Sequence, residues 1–467
     1  MKMLSLAASA AVALVLGAVP ARADLEAISK AMGAPDTLQI SGSGQFFSIG
    51  QAFRPGLPWP KQNMTRYARH DDYGAGASSV DFVLTRGDML GGGAIPLIGE
   101  ARTTGGVAGE RGWQVLYPVG TALQAPATQR QHDLWISPHG IVRAAIADKV
   151  AMREGGFEIV RPGKFRARAT VNAENLVERV ESWIDNPVIG DMAVVTYYRD
   201  YKDHGGVKFP GRILQTAAGM PAFDLVVSEV KPNAGPVAVP SSIGPAVADV
   251  TVDKVADGIF FIHGASHHSV AIEMRDHIVL FETPLGDGRT NAAIKAAKEA
   301  IPNKPISFAT TTHHHFDHSG GLRAAAAEGA TLLVHETARA YFEQVYANPR
   351  TISPDALSRS GKQAKFESVG DMRVVTDGNR VLEIHVLKNN QHADGFLIGY
   401  LPAEKILIVG DAFSPRAPVT RRPANLNPVT LNLWENLNRL GLQVETVLPI
   451  HGRMVKAEEL RFEAGAQ

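Results

Sequence analysis

The chain has 467 residues, 45% of them hydrophobic and 20% charged, which excludes a disordered chain and points to a globular protein of more than one domain. Basic and acidic residues balance at 47 each, for a formal net charge of zero, so nothing favours nucleic acid or an anionic membrane as a general partner. There is no cysteine, hence no disulfide and no thiolate ligand, and any metal site must be built from His, Asp or Glu.

The first residues read as a secretory signal. Met1-Lys2 gives a positive start, Leu4 to Val19 an apolar run, and Ala21-Arg22-Ala23 a small-x-small cleavage site before Asp24. That run is shorter than the ~20 residues a membrane-spanning helix needs; an uncleaved anchor is the competing reading. No later stretch is long and apolar enough to span a bilayer. The expectation is a signal peptide over 1–23 and a periplasmic or secreted bacterial protein.

Residues 24–235 read as a β-rich domain. Up to about residue 150, Gly- and Pro-rich stretches such as Phe53 to Pro60 alternate with short β-like runs, among them Val80 to Leu84. Gln129 to Ala147 has helical character, broken near Pro138-His139-Gly140. Gly91-Gly92-Gly93 is a loop signal and not a phosphate loop, because no Lys-Ser/Thr follows it. Lys164 to Val171, Leu176 to Ile184, Met192 to Tyr201, Val207 to Ala217 and Phe223 to Val230 then read as five antiparallel strands. Leu176-Val177-Glu178-Arg179-Val180-Glu181 together with Gly206-Val207-Lys208-Phe209-Pro210 resembles the half-barrel domains of periplasmic lipoprotein carriers. Residues 236–249, rich in Pro, Gly, Ser and Ala, read as a linker.

After residue 250 strands and helices alternate, and twelve of the sixteen histidines lie there. Strand Ile306 to Thr312 runs into Thr312-His313-His314-His315-Phe316-Asp317-His318-Ser319-Gly320-Gly321. His313 and His315 are two apart at a strand end, so they face one side and suit one metal ion. Asp317 and His318, on the turn that follows, can address a second position beside it. His314 alternates away and is read as a non-ligand. Three more candidates end predicted strands or open loops: His392 in Asn389-Asn390-Gln391-His392, Asp411 after the apolar run Ile406 to Gly410, and His451 after Val447 to Ile450. An unpaired carboxylate after a buried strand, as at Asp411, asks for a partner.

In these motifs and their order, residues 250–467 resemble the metallo-β-lactamase superfamily of binuclear metallohydrolases. The resemblance implies an αββα sandwich. It also implies two divalent ions, Zn²⁺ in the first instance and Fe or Mn as alternatives. By position, His313, His315 and His392 would hold one ion, Asp317, His318 and His451 the other, and Asp411 would bridge them. Asp317 would also act as the catalytic proton carrier. Where many members have Asp, this chain has Glu282, which can still accept a hydrogen bond from the back of a ligand imidazole. His267 and His268, and Lys388 with Asn390, are candidates for loops that touch substrate.

The function these readings support is hydrolysis of an ester, lactone, thioester or related bond by water activated between two ions. The substrate is expected to be a small or lipid-like molecule. Alternatives are a mononuclear iron oxygenase of persulfide dioxygenase type on His313, His315 and His392, a β-lactam hydrolase, or a periplasmic ligand-binding protein with a structural metal. Nucleic acid is not expected, and the oligomeric state is left open.

Overall fold

The computed structural model describes residues 24–466 apart from 89, 96, 97, 118, 119, 154, 246, 247 and 419. The expected signal, residues 1–23, lies outside the described residues.

Residues 37–232 build one antiparallel sheet of twelve strands. Its first strand, Thr37–Phe47, pairs with Lys61–Asp72 on one side and with Met220–Pro232 on the other. Two six-stranded meanders are thereby joined, and the free edges are Thr121–Ala125 and Gly156–Arg161. The five strands expected from sequence form one meander apart from its free-edge strand, Gly156–Arg161. Val80 to Leu84 lies within a further strand, Ala77–Arg86, whereas Thr37–Phe47 and Glu100–Ala108 were hidden because they carry glycine where the ladder is tight. In Thr37–Phe47 the register slips beside Gly42, and a Cβ at Gly42 or Gly44 would overlap the backbone of the neighbouring strand. Glycine weakens the strand signal while permitting this approach.

The chain between the two free edges folds into two helices, Thr128–Trp135 and Pro138–Ala147. The expected break falls at Ser137, whose side chain accepts from the Gly140 N–H, and Pro138 opens the second helix. With helix Leu25–Met32 these helices bury Ile28, Met32 and Ile141 against Phe157, Phe165 and Val180 of the sheet. The other half of the sheet face lines a cavity of about 490 Å³, with walls such as Phe46, Met64, Phe82, Met192 and Leu225. One buried ion pair, Arg69–Asp71 at 2.8 Å, also lines it.

Residues 236–249 carry no helix or strand among the described residues, although Val237 and Ile243 are buried. Two further sheets follow. Seven strands between Thr251 and Val369 lie side by side in chain order, antiparallel as far as Ile278–Phe281 and parallel after it. Six strands between Met372 and Lys456 make the other sheet. Phe261, Val270 and Phe281 of the first join Leu382, Ile384 and Ile408 of the second in one buried cluster. A Cβ at Gly399 would stand 2.6 Å from the Phe281 ring, so only glycine permits this spacing. Strand Ile278–Phe281 is buried on both faces: Val279 and Phe281 enter this cluster, while Ile278 and Leu280 pack on Ala293, Ile294 and Leu322 of helices on the far side. Helix Pro428–Leu440 covers the outer face of the second sheet through Val429, Leu433 and Leu437. Among the described residues, no helix is long and apolar enough to cross a membrane.

The twelve-stranded sheet meets the later sheets in two places. Arg350 donates to Val188 O at 2.8 Å, and the Asp191 carboxylate accepts from the Thr351 and Ile352 N–H groups. The second contact falls at the histidine cluster.

Candidate metal centre

Strand Ile306–Thr310 ends just before the cluster, and the short helix Phe316–Ser319 begins inside it. His313, His315 and His392 come together first. His313 Nε2 lies 2.9 Å from His315 Nδ1 and 3.1 Å from His392 Nε2. Asp411, at the end of strand Ile406–Val409, reaches between this group and the next. Its Oδ2 is 3.1 Å from His392 Nε2, and its Oδ1 is 2.8 Å from His318 Nε2 and 3.0 Å from His451 Nε2. Asp317 stands at the edge of the second group, with Oδ2 3.9 Å from His318 Nε2. The structure thus gathers all seven residues expected to hold metal.

The other nitrogen of four of these rings is tied down. His313 Nδ1 lies 3.0 Å from Thr312 Oγ1, His318 Nδ1 is 2.9 Å from Glu282 Oε1, and His451 Nδ1 donates to Ser266 O at 2.7 Å. His315 Nε2 donates to Ala52 O at 2.9 Å, which leaves its Nδ1 facing inward. Outer hydrogen bonds of this kind fix the tautomer and aim the free nitrogen, as metal-binding imidazoles require. Glu282 spends both oxygens here, accepting also from Thr311 Oγ1 at 2.9 Å and the Thr312 N–H at 3.0 Å. Its backbone φ of 75° is costly for a residue with a Cβ and is held by this fully buried setting. Glu282 thus stands behind the His318 ring.

The electrostatics suit cation binding. Burial, reinforced by neighbouring imidazoles, pushes His313 and His315 well below the usual histidine range, so both offer neutral lone pairs. Burial also disfavours the His318 cation, but Asp411, Asp317 and Glu282 outweigh it and lift that ring well above the usual value. For Asp317 and Asp411 burial works against the charge, yet His318 beside them holds both well below the carboxylate range. Asp411 Oδ1 is buried and makes no well-aligned hydrogen bond, despite two imidazole nitrogens within 3.0 Å. Lone-pair atoms crowded within about 3 Å of one another, one of them an anionic oxygen with no well-aligned hydrogen bond, fit divalent cations. His313, His315 and His392 could hold one ion, and Asp317, His318 and His451 a second, with Asp411 between them.

The remaining candidates separate. His314 turns away and donates to Ala52 O at 2.8 Å. His267 and His268 are buried, at 6% and 7% exposure, instead of lying on an open loop. His268 spends both nitrogens on backbone, bonding Gly264 N at 3.1 Å and Gly452 O at 2.7 Å. His267 Nε2 points into the cluster, 3.5 Å from Asp317 Oδ2. Lys388 does not join the site, because its ammonium is bound to the exposed Asp371. Asn390 acts on the loop itself, accepting from the His392 N–H at 2.9 Å and the Ala393 N–H at 3.3 Å.

Residues 50–54 and 91–93 are the part that sequence reasoning missed. Gln51 Nε2 donates to Asp317 Oδ1 at 2.8 Å, Gly50 O accepts from Phe316 N at 3.2 Å, and Phe53 O accepts from Asp394 N at 2.8 Å. Gly92 donates to Gln391 O at 3.0 Å, and a Cβ at Gly93 would lie 3.0 Å from His315 Cε1 and overlap Gln51. The only signal was the Gly91-Gly92-Gly93 run, which marks a close backbone approach but not its target.

Residues 269–451 match the family model described as Metallo-beta-lactamase superfamily. Similar solved structures include a metallo-beta-lactamase from Pontibacter korlensis, 20% identical, with a TM-score of 0.36 over 46% of this chain and 98% of that one. Another is the metallo-beta-lactamase FIM-1 from Pseudomonas aeruginosa in its mono-zinc form, 18% identical, TM-score 0.35, over 47% and 96%. A third is rubredoxin oxygen:oxidoreductase from Desulfovibrio gigas, 16% identical, TM-score 0.37, over 46% and 60%. With the family match and the motif order in agreement, residues 269–451 form a metallo-beta-lactamase superfamily domain.

Proposed function

We propose that this chain is an exported, metal-dependent hydrolase that cleaves an ester, lactone, thioester or related bond with two divalent ions. In this reading residues 1–23 are a signal, 24–235 a half-barrel-like domain, 236–249 a linker, and 250–467 an αββα sandwich. The observation that carries the reading is Asp411: one carboxylate whose two oxygens lie 2.8–3.1 Å from imidazoles of two separate donor groups.

Divalent ions held there supply a Lewis acid for the scissile carbonyl and lower the pKa of water to about 7. The chain supplies alignment and proton transfer. Gln51 Nε2 fixes the Asp317 carboxylate through Oδ1, so that it stands beside the attacking water to take its proton and pass it to the leaving oxygen, nitrogen or sulfur. Glu282 holds His318 through Nδ1 at 2.9 Å, so that ring stays aimed through turnover. The cavity of about 490 Å³ in the first sheet offers room for the apolar part of a lipid-like substrate. Its wall residue Ile49 immediately precedes Gly50, which bonds Phe316 beside the cluster.

The test is a panel of short- and long-chain esters, lactones, thioesters, β-lactams and phosphodiesters. Each is assayed before chelation, after it, and after Zn²⁺ or Mn²⁺ is restored. Ester, lactone or thioester cleavage that disappears on chelation and returns with metal supports the reading. A preference for β-lactams moves the substrate class. A single bound iron with oxygen-dependent turnover replaces hydrolysis by oxygenation.

A further inference from the structure

The structure assigns His267 as an additional metal ligand, its Nε2 joining Asp317, His318, His451 and Asp411 on one side of the pair. The assignment rests on the two-ion reading above. His267 lies in the short connection between strands Ile259–His263 and Ser269–Glu273. Its side chain is 7% exposed, and its Nε2 is buried without any hydrogen-bond partner. A buried imidazole nitrogen aimed at other donors and bonded to none of them is an open valence.

The aim of the ring is built in. Nδ1 shares a hydrogen bond of 2.8 Å with Ser266 Oγ, while Ser266 O takes the His451 Nδ1 proton at 2.7 Å. One residue thus orients both imidazoles, and the rings of His267 and His451 lie 4.2 Å apart, centre to centre. Arg289 grips the His267 carbonyl at 2.9 Å. On the other side His268 is locked to the segment that carries His451, its N–H on Ile450 O at 2.9 Å and its Nε2 on Gly452 O at 2.7 Å. The ring therefore has little freedom to leave.

The surrounding distances make a hydrogen bond a poor account of this nitrogen. Asp317 Oδ2, the nearest carboxylate oxygen, is 3.5 Å away, longer than a good N–H···O bond. One donor atom from each of His267, Asp317, His318 and His451 lies within 4.8 Å of all the others, just above the roughly 4.4 Å that two opposed bonds of about 2.2 Å reach, so a small inward shift brings all four onto one ion. Adding Asp411 gives five protein donors on this side, against four on the side of His313, His315 and His392. Five exceeds the four of a tetrahedral zinc site. This side is therefore suited to an ion that accepts six ligands, such as Mn²⁺, Fe²⁺ or Co²⁺, and the two positions are chemically unequal.

The experiment is Co²⁺ titration of metal-free full-length protein, wild type and His267→Gln, read by visible absorption and by competition with a chelator. Glutamine keeps an N–H that can reach Asp317 but removes the imidazole. The expected result is two equivalents bound by wild type. The variant should bind the first with unchanged affinity, which also reports an intact fold, and the second at least about tenfold more weakly. Its d–d absorption should grow stronger as the coordination number falls. Two equivalents bound identically by both proteins, with the same spectrum, would overturn the His267 assignment alone. A wild-type chain that takes up only one equivalent would overturn the two-ion reading and the assignment with it.

Discussion

The two donor groups of the cluster are held by different parts of the molecule. His313, His315 and His392 are all imidazoles, and the alignment of His315 depends on a carbonyl, Ala52 O, from the loop that ends the first strand of the twelve-stranded sheet. His318 and His451 are mixed with carboxylates and take their outer hydrogen bonds from Glu282 and Ser266, within the later sheets. Asp317 sits between the two schemes: its place in the chain belongs to the second group, but Gln51 of the first sheet holds its Oδ1. A fold that carries its own candidate metal ligands has thus lent part of their support to a neighbouring sheet, and the two ends of the cluster should respond differently to damage.

The largest effect is expected where the groups meet. His313 lies near His315 and His392 on one side and near His318 and Asp411 on the other. His313→Ala should lower hydrolysis by more than about 100-fold with an unchanged thermal unfolding midpoint; near-normal turnover would break the account of both groups. Glu282→Gln strikes one side only. It should weaken metal at the His318 position by about 10–100-fold, leaving the His313 group intact, as chelator competition would show. Gln51→Ala strikes from the other sheet. Metal content should stay the same while kcat falls about tenfold, the lower end of the range for outer partners; a change in metal content instead would mean that Gln51 holds the ligands and not the proton carrier.

The smallest effect concerns the stability of the first sheet and its dependence on pH. Burial lowers His139 from the ordinary 6.5 to about 4, and the nearby Arg143 pushes the same way against the Met32 carbonyl that accepts from its ring. Between those values the unfolded chain binds more protons than the folded one. Stability is therefore full above pH 6.5 and falls as pH drops toward 4, by up to roughly 3 kcal/mol. Urea unfolding of wild type and His139→Gln at pH 7 and 4.5 checks this: the variant should lose less on acidification.

How far the sequence could be read differed between the sheets for a physical reason. Metal chemistry concentrates rare residue types at strand ends, so His313, His315, Asp317, His318, His392, Asp411 and His451 stand out in the sequence. Buried apolar runs such as Ile278–Phe281 and Ile406–Val409 marked the strands that carry or precede them. The first sheet offered no such contrast. Strands such as Thr37–Phe47 and Glu100–Ala108 contain paired or spaced glycines, and one partner of Thr37–Phe47 lies far away in sequence, as Leu38 opposite Pro232 shows. His267 and His268 were indistinguishable as a dipeptide. Only the backbone around them, which satisfies both nitrogens of His268 and leaves Nε2 of His267 bare, tells them apart.

The central claim is that Asp411 joins two ions that the chain needs for hydrolysis. Its most direct test is metal analysis of protein purified without added metal, paired with hydrolysis of the best substrate before and after chelation. The account predicts two divalent ions per chain, turnover that vanishes as they are removed, and recovery when Zn²⁺ or Mn²⁺ is returned. Undiminished hydrolysis by metal-free protein would contradict it.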